Sequence, residues 1–436
     1  MSVKDFVQQR RDTLIAMRRD FHMYPEPAWL EYRSAAKVAD TLISLGYDVA
    51  LGADVLDLDS RMGLPSDEVM KAAMDRAIEE GANSELVEKM GYGKTAIVAT
   101  MKFGGEGPVV AFRVDMDSND VIEAKEDNHV PTKEGFRSCH DKAMHACGHD
   151  SHIAILLGTA AILQSIKNQL HGTVKLVFQP SEEEALNPGA QGIVDSGILD
   201  DVDEIFGLHV WPQLPVGTVG LKKGHLMAAS DHFLVHIEGK STHGAEPHNG
   251  IDAIVAAANW IVNVESIVAR ETNPMENLVC TIGVINGGDR YNVGCGDVYL
   301  EGTCRTYEPE KRDYIEWRLG ESLQALDMMF KTKSTLDYKR GHGATTNDPD
   351  AIDYATSIVE KYLGKEAVVH PEHPSMAAED FSAYLQKIKG AFLWLGTGFD
   401  GNPALHNAGF TIDETILESG ITMMAAIAAE YLQPKQ

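Results

Sequence analysis

Apolar residues recur along this chain in two rhythms, a helical one and the short Val-, Ile- and Phe-rich runs of buried strands, and their alternation predicts the architecture. Residues 4–20 carry a helical pattern that ends at Pro25 and Pro27. A second helix is expected from about Ser34 to Leu45, closing at Gly46, and then a strand over Tyr47–Leu51. Residues 53–91 are rich in Asp, Glu and Lys, with a helical stretch over Glu68–Glu80, and read as a surface insertion. Beyond it, strands at Ala96–Met101, Val109–Val114, Thr173–Phe178 and Glu204–Val210 alternate with helices after His149 and near Ala190–Ser196. That alternation predicts an α/β fold on a mainly parallel sheet flanked by helices, with ligands gathered at the carboxyl ends of the strands.

The rhythm changes after about Ala229. Strands at Phe233–Glu238, Leu278–Ile285, Val298–Thr306 and Ser334–Lys339 are separated by helices over Ile251–Ala269 and Asp313–Met329, the element order of a ferredoxin-like α+β module. The α/β rhythm resumes near Asp348, with a strand at Phe392–Leu395 and a last helix over Glu414–Tyr431. The expected organisation is one discontinuous domain of residues 1–228 and 341–436, with residues 229–340 inserted as a second domain.

Composition narrows the class of partner. The 436 residues exceed what one core usually supports, which agrees with two domains. Lys plus Arg at 38 against Asp plus Glu at 65 gives a net charge of −27, which argues against nucleic acid or an anionic membrane surface. The longest apolar stretch, Ile153 to Ile166, is broken by Gly158, Thr159 and Gln164 and is too short to cross a bilayer, so it reads as a buried helix. Residues 1–7 lack a basic start followed by an apolar core, and the 5 cysteines suit reduced thiols; a cytoplasmic protein is expected.

The chemistry concentrates in Met144-His145-Ala146-Cys147-Gly148-His149-Asp150-Ser151-His152. Thiolate and imidazole are ligands for zinc and similar ions, and Gly148 permits both donors to approach one point. By itself a Cys-Gly-His is as well explained by a buried cysteine beside a helix start. Other donors stand at further predicted strand ends: Glu182-Glu183-Glu184 after Gln179-Pro180-Ser181, His209 in Gly207-Leu208-His209-Val210-Trp211, and His406 in Leu405-His406-Asn407-Ala408-Gly409-Phe410. Each alone has a bland reading, a solvated acidic face or a satisfied core histidine. Their joint occurrence at strand ends of one sheet points to a metal centre.

Taken together, M-H-A-C-G-H-D at Met144–Asp150, F-Q-P-S-E-E at Phe178–Glu183, L-H-V-W-P at Leu208–Pro212 and H-N-A-G-F at His406–Phe410 resemble the metal-dependent amidohydrolases of the M20 peptidase family. The similarity is to the branch of hippurate hydrolases, N-acyl-amino-acid amidohydrolases and auxin-conjugate hydrolases, and it runs from Arg18-Arg19-Asp20-Phe21-His22 to the last helix. Within it, Ser60–Pro65 in the insertion and Gly135-Phe136-Arg137-Ser138-Cys139 look most like p-aminobenzoyl-glutamate hydrolase A subunits.

The resemblance implies two divalent ions per chain, manganese or zinc first and nickel or cobalt as alternatives. Cys147 would bridge them, His149 and His209 would complete one site, and Glu183 and His406 the other. Glu182 would be the general base, taking a proton from metal-bound water and passing it to the leaving amine. Asp117 would orient a ligand from behind, and His243, in Gly239-Lys240-Ser241-Thr242-His243, would donate to the developing oxyanion, reaching the site of a partner subunit. Asn292, Arg305 and Glu379 match substrate-binding positions, with Arg305 a clamp for a substrate carboxylate. The inserted module then implies dimerisation and a lid, and the substrate a small N-acyl or N-aroyl amino acid such as p-aminobenzoyl-glutamate. Two alternatives stand beside this reading: one half of a hetero-oligomer that works only with a related partner chain, and an aminoacylase or dipeptidase of another branch, whose members generally carry other ligands where this chain has Cys147 and His209. The chain departs from the family pattern at Glu184, where relatives usually have glycine, and at Gly294-Cys295-Gly296, where they usually continue Ile-Pro.

Overall fold

The computed structural model describes residues 3–61, 63–184 and 189–434. They form two compact units: Met1–Leu226 with Thr346–His373 and Asp380–Gln436, and Met227–Thr345 with Pro374–Glu379. The short return of Pro374–Glu379 is invisible to periodicity, because its strand Ser375–Ala378 is only four residues long and pairs with Met227 and Ala228.

In the first unit, among the described residues, eight strands form one sheet in the order Asp48–Leu51, Ile97–Phe103, Gly172–Gln179, Val109–Asp115, Glu204–Pro215, Lys389–Gly398, Val219–Gly220 and Val368–Val369. The four central strands, Gly172–Gln179 to Lys389–Gly398, pair in parallel, whereas the two outer pairings on the first side and that of Val219–Gly220 with Lys389–Gly398 are antiparallel. The parallel centre is almost wholly buried, as helix-covered parallel strands must be. Helix His149–Ser165 packs against helices Val3–Met23 and Ile416–Tyr431, and fourteen of its residues are buried. Beyond its polar first turn it is largely apolar on all sides because it lies inside the unit. Each Ile or Leu it buries contributes roughly 1.5–3 kcal/mol.

Residues 53–91 are more than a surface insertion. Helix Asp67–Glu79 starts at Ser66, whose hydroxyl accepts the Val69 N–H, and its apolar face of Met70, Ala73, Met74 and Ala77 joins the main core with Val87 and Met90. Its Asp, Glu and Lys residues face outward, which is why composition alone reads it as surface.

The second unit holds the strands Lys333–Arg340, Gly224–Glu238 (from Met227 on), Asp297–Thr306 and Leu278–Gly287 in that order, all antiparallel. Helices Ala253–Ser266 and Pro309–Phe330 cover one face through Trp260, Val264, Ile315 and Leu319. This is the ferredoxin-like arrangement. Leu278–Gly287 is an edge strand, and Val284 and Ile285 on it are exposed.

Candidate metal centre

The centre lies where the parallel strands end. Cys147 and His149 are separated by Gly148, which adopts φ +83° and starts the helix His149–Ser165; a Cβ there would fall 2.5 Å from Val210 Cγ2. Glycine is therefore required both for the left-handed turn and for the close approach of the strand that carries His209. Glu182 and Glu183 follow the strand Gly172–Gln179, and His209 lies within Glu204–Pro215. His406 sits in a loop, in the left-handed region at φ 62°, with its N–H bound to the Ala146 carbonyl at 2.9 Å. The loop is thereby tied to the residue preceding Cys147.

These donors converge in two overlapping triads that share one sulfur. The donor atoms of Cys147, His149 and His209 lie within 4.8 Å of one another, and so do those of Cys147, Glu183 and His406. Cys147 Sγ is 3.3 Å from His209 Nε2 and 3.2 Å from His406 Nε2; Glu183 Oε1 is 3.6 Å from His149 Nε2 and Glu183 Oε2 3.4 Å from His406 Nε2. Glu182 belongs to a third such group with His149 and Glu183.

Hydrogen bonds behind the ring nitrogens fix which of them face inward. His149 donates from Nδ1 to the Asp117 carbonyl at 2.8 Å, and His209 from Nδ1 to the Val210 carbonyl at 2.6 Å. Nε2 of each is therefore the lone-pair nitrogen turned to the centre. Asp117 also accepts the Glu183 N–H at 2.9 Å through Oδ2, so one residue aligns His149 with its carbonyl and Glu183 with its carboxylate. His152 is occupied on both sides: Nδ1 donates to Asp115 Oδ1 at 2.5 Å, and Nε2 accepts the Val210 N–H at 3.0 Å. It is a strut, although it lies close enough to form a further donor group with Asp115 and His149. His145 is buried as well, with neither ring nitrogen hydrogen-bonded among the described residues.

The electrostatics ask for cations. Burial and then Glu183, Glu182 and Asp115 push the Cys147 thiol well above its usual range. Burial alone would lower His149, but Asp115, the bond to Asp117 and Glu183 outweigh it and raise its pKa to about 10. Burial and His152 take His209 down to about 3. Glu183, despite burial, is held at about 2 by His406 and His149. The carboxylates of Asp115, Asp117 and Glu183 thus leave negative charge around His149, which a divalent ion would offset. His149 Nε2 and Glu183 Oε1 are buried without a hydrogen-bond partner, and both belong to this donor set of thiol, imidazole and carboxylate.

Behind the donors runs a buried network centred on Arg113, which the sequence did not single out. Arg113 donates to Asp115 Oδ2 at 3.0 Å, Asp380 Oδ1 at 2.6 Å and Gln179 Oε1 at 2.8 Å, which binds three segments beneath the centre. Glu31 is likewise buried at the loop that carries Glu182. The only sequence signal for either is a charge inside an apolar run.

The other expected site residues lie in the second unit. His243 pairs with Val293, and the Asn292 carbonyl accepts the Gly244 N–H at 2.8 Å, so His243 and Asn292 are neighbours. His243 Nδ1 accepts the Ala245 N–H at 3.1 Å, leaving Nε2–H as an exposed donor. Arg305 shares the sheet face opposite the helices with Glu301 and Thr303, and its Nη1 is buried without a hydrogen-bond partner. Glu379 is fully buried and its carbonyl accepts the Thr345 hydroxyl at 3.1 Å.

Residues 111–430 match the model of peptidase family M20/M25/M40. The chain belongs to that family. Among its M20 relatives, N-acetyl-L-cysteine deacetylase of Bacillus subtilis (strain 168) is 40% identical over 324 residues, 74% of each chain. The p-aminobenzoyl-glutamate hydrolase A subunit of Escherichia coli (strain K12) is 33% identical over 99% of this chain and 98% of its own. A crystal structure from Bacillus subtilis, described as a dinuclear metal binding peptidase from the M20 family, superposes with a TM-score of 0.75 at 29% identity, covering 98% of this chain and 99% of that one. As an M20 member this chain is an amidohydrolase, and the two triads around Cys147 are its candidate metal centre.

Proposed function

We propose that the chain hydrolyses the amide bond of N-acyl or N-aroyl amino acids, p-aminobenzoyl-glutamate among them, with Glu182 as the base. The observation that carries the reading is the pair of donor triads meeting at one thiol, with the Glu182 carboxylate beside them. Two divalent ions, manganese or zinc before nickel or cobalt, would be held by His149 and His209 on one side and Glu183 and His406 on the other, with Cys147 between. When bound, such ions polarise a carbonyl and ease the ionisation of water. Glu182 takes the proton of the attacking water and delivers it to the leaving amine nitrogen. Asp117 keeps His149 and Glu183 in register from behind. His243, with its exposed Nε2–H, is suited to the developing oxyanion; Asn292 beside it and Glu379 would contact the substrate. The Arg305 guanidinium, half-buried and with Nη1 unpartnered, suits the carboxylate of the released amino acid.

The partner we infer is a second copy. The edge strand Leu278–Gly287 exposes Val284 and Ile285, and the neighbouring helix exposes Ile254, Val255 and Val262. The stretch Ala253–Glu271 is long and apolar enough to cross a membrane, yet only 33% of it is buried within one chain. Strand pairing across such an edge and burial of the adjoining helix account for that apolar face in an assembly. A related but different partner chain is the other reading, favoured by the similarity to a relative whose name makes it one of the subunits of its hydrolase.

The test is a panel of benzoyl-, acetyl-, indolylacetyl- and p-aminobenzoyl-amino acids with the manganese- or zinc-loaded chain alone, beside its molecular mass in solution. Turnover by the chain alone supports the proposal; absence of turnover across the panel by a fully loaded dimer overturns it. Glu182→Ala is expected to keep its metal and lose roughly 10²–10⁴ in kcat.

A further inference from the structure

The loop bearing Glu182 is held from outside the centre. Ser181, the residue before it, is fully buried and sits in the left-handed region at φ 55°, which is uncommon for a non-glycine residue. Its N–H donates to Glu31 Oε1 at 2.9 Å. A second strained residue, Trp29 at φ 63°, donates its N–H to the same oxygen at 3.0 Å. The other oxygen, Oε2, accepts the Thr95 hydroxyl at 2.7 Å. Glu31 is fully buried, and no lysine, arginine or histidine pairs with it among the described residues.

A buried carboxylate without a cation is a costly choice for holding two backbone segments, and an apolar residue would leave two N–H groups buried without acceptors. The same segment also holds the loop that carries Asp117. Pro27 bridges to Ser118, and the Ser118 N–H donates to the Glu26 carbonyl at 2.9 Å, next to Asp117, whose carboxylate receives the Glu183 N–H. Residues 26–31 thus clamp the Asp117 and Ser181 loops to each other.

We propose that Glu31 is a positioning residue for the amide hydrolysis: it imposes the backbone of Ser181 so that the Glu182 carboxylate faces the centre. The proposal rests on Glu182 as the base. Glutamine can replace Glu31, since its amide oxygen can take both N–H groups and its amide nitrogen can donate to Thr95. Alanine cannot.

The experiment measures kcat and KM per metal-loaded centre, with metal content and circular dichroism, on the conjugate the enzyme turns over fastest in the panel. Glu31→Ala is expected to lower kcat about a hundredfold, the cost of roughly an ångström of misplacement, with KM within about threefold and metal content unchanged. Glu31→Gln should recover kcat to within about fivefold. Thr95→Val, which keeps the side-chain shape and removes one anchor, should lower kcat several-fold at unchanged KM and decides the matter if Glu31→Ala does not fold. Unchanged kcat per loaded centre in Glu31→Ala, or in Thr95→Val where Glu31→Ala is unfolded, overturns the proposal. An inactive Glu182→Ala beside them leaves the base assignment standing in that case, whereas an active Glu182→Ala overturns both.

Discussion

Cys147 is the residue on which both triads depend, so its loss should differ in kind from that of any other donor. Cys147→Ala is expected to remove most of the bound metal, while His209→Ala, which touches one triad, should keep part of it; metal analysis after dialysis reads the difference. Equal retention in the two variants would count against a shared thiol. Gly148 is tested by Gly148→Ala, which forces a left-handed alanine and a Cβ 2.5 Å from Val210 Cγ2. The left-handed conformation alone costs about 1–2 kcal/mol, and the clash displaces the strand beside His209, so the denaturation midpoint and the metal affinity should fall together.

At the scale of elements, a buried network ties helix Val3–Met23 to helix His149–Ser165. Arg18 and His22 both meet Asp150 Oδ2 at 2.8 Å, and His22 and His129 meet Glu123 Oε1 at 3.0 and 2.9 Å. Burial raises the pKa of Glu123, but the bonds from His129 and His22 and the Ser138 N–H outweigh it and lower it from 4.5 to about 2. A carboxyl held lower in the folded state contributes stability that is complete above about 4.5 and lost as the pH falls towards 2. At about 1.36 kcal/mol per pH unit this is up to about 3 kcal/mol. Melting curves between pH 6 and about 3 should therefore fall less steeply for Glu123→Gln than for the parent chain; identical slopes would show that Glu123 is not the group involved.

At the scale of the whole molecule, the exposed edge strand and its neighbouring helix predict that Ile285→Lys combined with Val262→Asp yields monomers, read by sedimentation equilibrium. If His243 of one chain serves the centre of its partner, mixing Glu182→Ala chains with His243→Ala chains should restore activity that neither has alone. In the mixed dimer one centre then has both residues. No recovery on mixing would assign His243 to its own chain or to no catalytic part.

The alternation of strand and helical periods marked the α/β unit, and the strand-helix-strand-strand-helix-strand order marked the ferredoxin-like one, because period and order are local properties of a chain. The identity of the donors was local in the same sense: a thiol, three imidazoles and a pair of carboxylates state their chemistry wherever they are placed. What only the tertiary structure decided is what depends on contacts between distant segments. The Asp117 and Val210 carbonyls choose the inward nitrogens of His149 and His209, and His152, equally histidine and only three residues from His149, is excluded because Asp115 and Val210 occupy both of its nitrogens. The insertion joins the core through a face that its charge concealed, and Glu31 reaches Ser181 across 150 positions of sequence. A hydrogen bond between residues so far apart leaves no period and no motif, since its partner is set by the fold and not by the neighbours in the chain.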